Sequence, residues 1–221
     1  MCGRFVTPEQ AFLEREFSIV MPPFARSFNV APTQQVPVLV NMEGQRVGML
    51  MRWGLVPFFA RGVPPKYSTI NARAETLETA PSFRTPWRRA QRCIVPALGF
   101  YEWQVGEQGR KQPFFIHLND QDVLGFAGLW DRSINPDGAV TLSCTLITLE
   151  ANSLMSEIHN AKQRMPAILR SEDRDTWLAG NADAARAALI RYPDELMVAY
   201  KVSARVNSPR NDDSDLLRPV P

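Results

Sequence analysis

Between residues 93 and 148 the sequence holds five strand-length segments, at 93–97, 99–104, 113–118, 123–130 and 140–148. The gaps between them run from one to nine residues. A parallel pair needs a crossover of roughly a dozen residues or more. These gaps are too short for one, so βαβ units are excluded and antiparallel pairing is expected. Gly109, Asn119-Asp120 and Pro136-Asp137-Gly138 supply turn chemistry between the later segments. Upstream, 36–41 and 46–53 read as two strands joined at Glu43-Gly44, and 196–202 reads as a last strand. Thr7-Pro8-Glu9-Gln10 has the form of a capping box opening a short helix to about Phe17. Further helices are predicted near 82–91, 150–157, 171–179 and 182–191. Residues 54–72 carry Gly54, Pro57, Gly62, Pro64 and Pro65, too many breakers for a helix, and a loop of that length favours a functional role. The expected fold is α+β: one domain over residues 1–221, mainly antiparallel and barrel-like sheet with flanking helices. A polar C-terminal tail is expected from about residue 207.

Composition narrows the class. Apolar residues make up 45% and charged residues 22% of the chain, which suits a packed interior and excludes global disorder. No apolar run approaches the ~20 residues of a membrane-spanning helix. The start lacks the basic and apolar stretches of a secretory signal. Cys2, Cys93 and Cys144 are odd in number and widely spaced, so a disulfide framework is not expected and a reducing cytoplasm is. With two histidines and no CxxC, no metal or other cofactor is expected.

Charge is uneven. The net charge is only +2, yet residues 46–92 carry nine basic side chains and two acids, a local +7. Such a stretch suits a polyanion on one face, or simply a solvated arginine-rich surface. Arg73 and Arg84 lie within it.

Five features bear chemistry. Cys2, once Met1 is removed, carries a thiol and a free amine on adjacent carbons. Their ordinary pKa values, ~8.5 and ~7.7–8.0, leave both near reactivity at neutral pH. Such a group can attack an acyl centre, or condense with an aldehyde and close to a thiazolidine. Glu102 sits among Phe100, Tyr101 and Trp103; pointing inward, its pKa would rise and suit it to general acid/base work. His159 stands at a helix end before Arg164-Met165-Pro166, well placed for proton transfer. Asn71 and Arg73 lie in Asn71-Ala72-Arg73, an amide and a phosphate-suited fork. Phe58 and Phe59 follow Pro57 and could stack on bases. Each also has a plain structural reading: an incidental Cys2, an outward Glu102, a surface His159, core packing for the aromatics. Trp53 reads as core, and His117 as a strand histidine without a catalytic role.

Taken in order, the segments resemble one family. They are Met1-Cys2-Gly3-Arg4, Asn29-Val30-Ala31-Pro32-Thr33, Arg52-Trp53-Gly54-Leu55, 71–76, Cys93-Ile94-Val95-Pro96 followed by 99–103, Lys111-Gln112-Pro113-Phe114, Ala127-Gly128-Leu129-Trp130, Ile158-His159 with Arg164-Met165-Pro166, and Val206-Asn207. Together they are similar to the SOS response-associated peptidase (SRAP) family of abasic-site-processing proteins. The resemblance departs at Leu98, where many members have aspartate, and in the spacing of His159 from Arg164.

The resemblance implies a partner and a reaction. The partner is single-stranded DNA containing abasic sites, with no membrane and no metal, bound by a cytoplasmic monomer that is nucleoid-associated when on DNA. Cys2 would form a thiazolidine with the sugar aldehyde after removal of Met1, by the protein itself or by an aminopeptidase. Asn71 would orient the Cys2 amine, Glu102 would shuttle protons, and His159 would help open the sugar. Arg4 and Arg73 would contact phosphates, with Arg84 also on the DNA face, and Phe58 and Phe59 would wedge at the lesion. Two other classes stay open: an N-terminal-nucleophile amidohydrolase acting on glutamine, and a non-catalytic single-strand-binding protein.

Overall fold

The structure, a computed structural model, describes residues 2–119, 121 and 123–221. The reading of Met1 as a removable residue, and the Asp120 half of the Asn119-Asp120 turn, lie outside the described residues.

Five strands close a barrel. β2 (Gln35–Met42) and β3 (Gln45–Trp53) form a hairpin. Its turn residues Glu43 and Gly44 both have positive φ, 53° and 84°, as a two-residue hairpin turn twisted to match its strands requires. β2 also pairs with β5 (Arg92–Ala97), β5 with β8 (Leu124–Ile134), and β8 with β9 (Val140–Glu150). β9 then meets β3 in parallel, Trp53 opposite Cys144, and the ring is complete. Closure removes the sheet edges that an open antiparallel sheet would expose. Val36, Val38, Val40, Met51, Val95, Phe126 and Leu146 are fully buried.

A second antiparallel sheet holds β1 (Arg4–Val6), β6 (Gly99–Val105), β7 (Lys111–Leu118) and β12 (Met197–Lys201), in the order β1-β6-β7-β12. β5 and β6 are separated by Leu98 alone, so one extended run passes from barrel to second sheet. The sheets join through aromatics. Phe5 meets Trp53 and Phe126 at ring-centroid distances of 5.0 and 5.9 Å, and Phe100 meets Phe126 at 5.8 Å, all edge-on. Full burial of each ring is worth about 1.5–3 kcal/mol, and edge-on pairing adds roughly 0.5–1.5 kcal/mol.

β9 outruns the barrel. Its first half pairs with β3 and β8, and its second half carries two short strands. β4 (Asn71–Arg73) runs parallel to it, with Asn71 opposite Leu146, and β10 (Arg164–Pro166) runs antiparallel, with Arg164 opposite Glu150. A further two-residue strand, β11 (Ile168–Leu169), extends the sheet at β8.

The helices are α1 (Gln10–Phe17), α2 (Arg84–Arg88), α3 (Ser153–Ile158), α4 (Arg174–Ala179) and α5 (Ala182–Ala187). No helix among the described residues is long and apolar enough to cross a membrane.

Three expectations need correction. The capping box at Thr7 does not form: Thr7 Oγ1 accepts from Ser27 N at 2.7 Å, and Glu9 occupies the cap position with no side-chain bond. The long-range partner outcompetes the local one. The helices near 82–91 and 182–191 are shorter: α2 spans Arg84–Arg88 with Pro86 confined to its first turn, and α5 ends at Ala187 with Ala188 as its cap. The polar tail from 207 is a packed strap. Val206 and Leu216 are fully buried with Val6, Tyr101 and Val202, and Tyr200 Oη donates to Leu217 O at 2.9 Å.

At Gly99 the strands of the second sheet leave no room for a side chain. A Cβ there would stand 2.4 Å from Phe115 Cζ and 2.5 Å from Ile116 O. Gly99→Ala should therefore destabilise the fold by about 1–3 kcal/mol, the usual cost of overpacking. The check is a urea transition, in which the midpoint should fall with the slope unchanged.

Candidate active site

Four of the residues singled out above converge where the two sheets meet. Cys2 lies two residues before β1 and is fully buried, its thiol donating weakly to Arg4 O at 3.7 Å. Asn71, the first residue of β4, donates from Nδ2 to Cys2 O at 2.9 Å. Its Oδ1 is buried and has no hydrogen-bond partner among the described residues. Glu102 projects from β6 and is 2% exposed, so the inward reading of this carboxylate holds. His159 ends α3, whose start is capped by Asn152 Oδ1 accepting from Met155 N. Its Nε2 lies 3.8 Å from Glu102 Oε2.

One ring nitrogen of the histidine is tied to the backbone. Nδ1 is 2.8 Å from Arg164 O and 3.4 Å from Arg164 N; the shorter contact, to a carbonyl that can only accept, favours a proton on Nδ1 and turns Nε2 toward the carboxylate. The spacing between His159 and Arg164 is taken up by a tight turn. His159 O accepts from Gln163 N at 2.8 Å, with Gln163 at a positive φ of 51°.

Electrostatics follow from burial. Desolvation lifts the Glu102 carboxyl above its ordinary range, and the facing His159 draws it partly back. Burial also pushes the Cys2 thiol well up, and the Glu102 charge adds to the rise. Cys2 is therefore a thiol at rest, with the Glu102 carboxyl close enough to act on it electrostatically. A nucleophile, a carboxyl able to give and take protons and an oriented imidazole make proton-coupled addition to a carbonyl feasible here.

Two depressions flank the His159–Arg164 turn. One, of about 430 Å³, is lined by Glu102, His159, Trp103, Lys111, Lys162 and Asn207 among others. The other, of about 640 Å³, includes Arg73, Ser156, Lys162 and Arg164. Arg73 and Lys162 are exposed and, among the described residues, form no ion pair, whereas Arg164 grips Glu75 through two bonds of 2.8 and 2.9 Å. Lys162, which borders both depressions, had no signal in the sequence beyond its place after His159. Asn207 and Lys111 lay in segments noted above without a role.

The remaining candidates sit farther out. Phe58 and Phe59 are exposed, 41% and 50%, on a short 3-10 helix, and pack edge-on at 5.6 Å with Arg89 over Phe58. Phe58 N donates to Asp131, which stands opposite Ser143 on β9, three residues from the partner of Asn71. That is roughly 10 Å along the strand. Arg84 is exposed on α2. Arg4 is committed to structure: it donates to Asn29 Oδ1, Val206 O and Asn207 O at 2.9, 3.1 and 3.2 Å. The +7 stretch is not one continuous surface either. Arg46 pairs with Asp175, and Arg92 is buried against Trp177 O and Gly180 O. His117 stacks on Phe115 and stands apart from this group.

The profile of the SOS response associated peptidase (SRAP) family matches residues 1–209. The chain belongs to this family. Among SRAP relatives, the abasic site processing protein YoqW of Bacillus subtilis (strain 168) is 39% identical over 98% of this chain and 99% of its own. The abasic site processing protein HMCES of Gallus gallus is 36% identical over 88% of this chain and 66% of that protein. A crystal structure of a protein from Bacteroides thetaiotaomicron matches all of both chains with a TM-score of 0.89 at 26% identity. The α+β fold is thus shared with this solved structure.

The raised Glu102 carboxyl makes stability depend on pH. In the unfolded chain a glutamate titrates near ~4.3; below that both states are protonated and burial costs nothing. As pH rises through the higher folded value, the native state must hold a buried charge and stability falls. Glu102→Gln removes that charge. The variant should match wild type in urea unfolding at about pH 4 and surpass it at about pH 8. Equal midpoints at the higher pH would show that desolvation does not govern this carboxyl.

Proposed function

We propose that the chain processes abasic sites in single-stranded DNA by crosslinking itself to them through Cys2. The observation that carries this reading is the convergence of Cys2, Asn71, Glu102 and His159 in one buried junction. The family membership and the printed names of the relatives support it.

Removal of Met1, by the protein's own autopeptidase activity in this reading, turns the Cys2 nitrogen from an amide into a primary amine. The amine adds to the aldehyde of the ring-opened sugar and gives a carbinolamine. Loss of one water yields the Schiff base, and the thiol then adds across the C=N bond and closes the thiazolidine. One water leaves in total and no oxidant is needed. His159, with Nε2 toward Glu102, assists the opening of the sugar ring. Glu102, raised by burial, accepts a proton from the amine, returns one to the departing hydroxyl and relays the thiol proton as the ring closes. Asn71 holds Cys2 through its carbonyl and offers Oδ1 to the amine.

Arg73 contacts the DNA backbone beside the site, with Arg84 farther out and Phe58 and Phe59 stacking or wedging at the lesion. Arg4 acts on DNA only with the donors its structural bonds leave over. The same reading makes the protein a cytoplasmic monomer.

The test is to incubate the Met1-free protein with single-stranded DNA carrying one abasic site and look for an adduct that survives denaturation. Cys2→Ala should give none while still binding the strand; a stable adduct from that variant would remove Cys2 from the role. Binding without an adduct in wild type would favour the non-catalytic reading, and ammonia release from glutamine the amidohydrolase.

Glu102→Gln should slow both adduct formation and its reversal by roughly 10²–10⁴-fold, since one shuttle serves both directions. Slowed formation with normal reversal would point to His159 for the return proton. Arg73→Ala should lower the salt slope of single-strand binding by about 0.7.

A further inference from the structure

Two of the segments quoted above have no part in this chemistry, Asn29-Val30-Ala31-Pro32-Thr33 and Val206-Asn207, and they meet in space. Asn29 is 1% exposed. Its Nδ2 donates to Val206 O, Ser208 O and Asn211 O at 3.2, 3.0 and 2.8 Å, and its Oδ1 accepts from Arg4 at 2.9 Å. Arg4 itself donates to Val206 O and Asn207 O. One buried amide thus clamps the C-terminal strap onto the strand that begins two residues after Cys2. Next to it, Asp212 Oδ1 accepts from Ser27 Oγ at 3.1 Å and from Phe28 N.

The strap begins at the cleft. Trp103 Nε1, which can only donate, is 2.8 Å from Asn207 Oδ1. That contact orients the amide: oxygen toward Trp103, Nδ2 away from it. Asn207 is exposed and lines the cleft that holds Glu102 and His159. The strap therefore touches the residue next to Glu102 on one side and the strand of Cys2 on the other.

We infer that Asn29 is a positioning residue for the crosslinking reaction. By pinning the strap to Arg4 it fixes the seat of Cys2 and sets Asn207 as a wall of the cleft, where the Nδ2 group of Asn207 donates to the sugar-phosphate backbone of the bound strand. The inference rests on the crosslinking reading above.

The test uses single-turnover kinetics of the Met1-free protein on abasic single-stranded DNA, which separates the limiting rate constant from the half-saturating DNA concentration. Asn29→Asp is nearly isosteric and keeps an acceptor for Arg4, but it cannot donate to the three carbonyls. Its limiting rate constant should fall on the order of tenfold to a hundredfold, the scale of a ~1 Å misplacement. Partial unfolding alone would lower the amplitude and leave the rate constant alone. Asn207→Ala changes an exposed side chain and keeps the experiment decisive if Asn29→Asp does not fold. It should raise the half-saturating concentration roughly three- to tenfold, the worth of about one hydrogen bond. A normal limiting rate constant in folded Asn29→Asp, or a normal half-saturation in Asn207→Ala, overturns the inference while wild type still crosslinks. No adduct from wild type overturns the crosslinking reading itself, and this inference with it.

Discussion

Leu98 alone separates the barrel from the second sheet, and that short passage dictates how closely the two sheets must pack. β6 is forced against β7 at Gly99, where a side chain has no room, and against β1, whose Phe5 wedges between Trp53 and Phe126 of the barrel. Three residues after Gly99 the same strand delivers Glu102 to the joint. β9 supplies the opposite wall by running past the barrel rim and carrying β4 and β10 on its free half. Asn71 and the His159 turn are thereby placed by strand pairing. Asn71 and Glu102 sit on extended backbone, which holds geometry better than a free loop.

The joint places a carboxylate where water is scarce. Such burial costs stability whenever the group is charged, and His159, facing it at 3.8 Å, offsets only part of that cost. On the crosslinking reading, the same cost, which raises the carboxyl's hold on a proton, lets Glu102 give one as well as take one. The buried Cys2 thiol is held protonated by the same surroundings, so it becomes a thiolate only where a neighbour takes the proton. On the crosslinking reading, stability and chemistry pull in opposite directions at Glu102.

The basic residues divide into two populations. Arg4, Arg46, Arg92 and Arg164 are bound to carbonyls or carboxylates of the protein and hold segments together. Arg73, Arg84 and Lys162 face solvent. Only the second kind supports a polyanion surface, and charge counting along the chain cannot separate the two. The strap adds a similar lesson. Residues 204–213 are polar in sequence, yet one buried asparagine satisfies three of their carbonyls, and Val206 and Leu216 supply the apolar anchors.

What the chain alone determined is whatever depends on neighbours in sequence. Alternation and short gaps defined the longer strands, β2, β3 and β5 to β9, to within a few residues, and with them the antiparallel class. The Glu43-Gly44 turn was legible for the same reason. Cys2, Asn71, Glu102 and His159 were recognisable as chemistry-bearing types in family-like surroundings. Their union was not legible locally, because Asn71 reaches Cys2 across 69 positions and Glu102 meets His159 only after two sheets pack. β1, β4, β10 and β11, of two or three residues, show no periodicity to read and exist because a longer strand pairs with them. Thr7 shows the limit from the other side: a sound local cap motif yielded to Ser27, twenty residues away. Tertiary structure decided these points because a hydrogen bond or a buried charge is settled by what surrounds it in space, and only the folded chain supplies those surroundings.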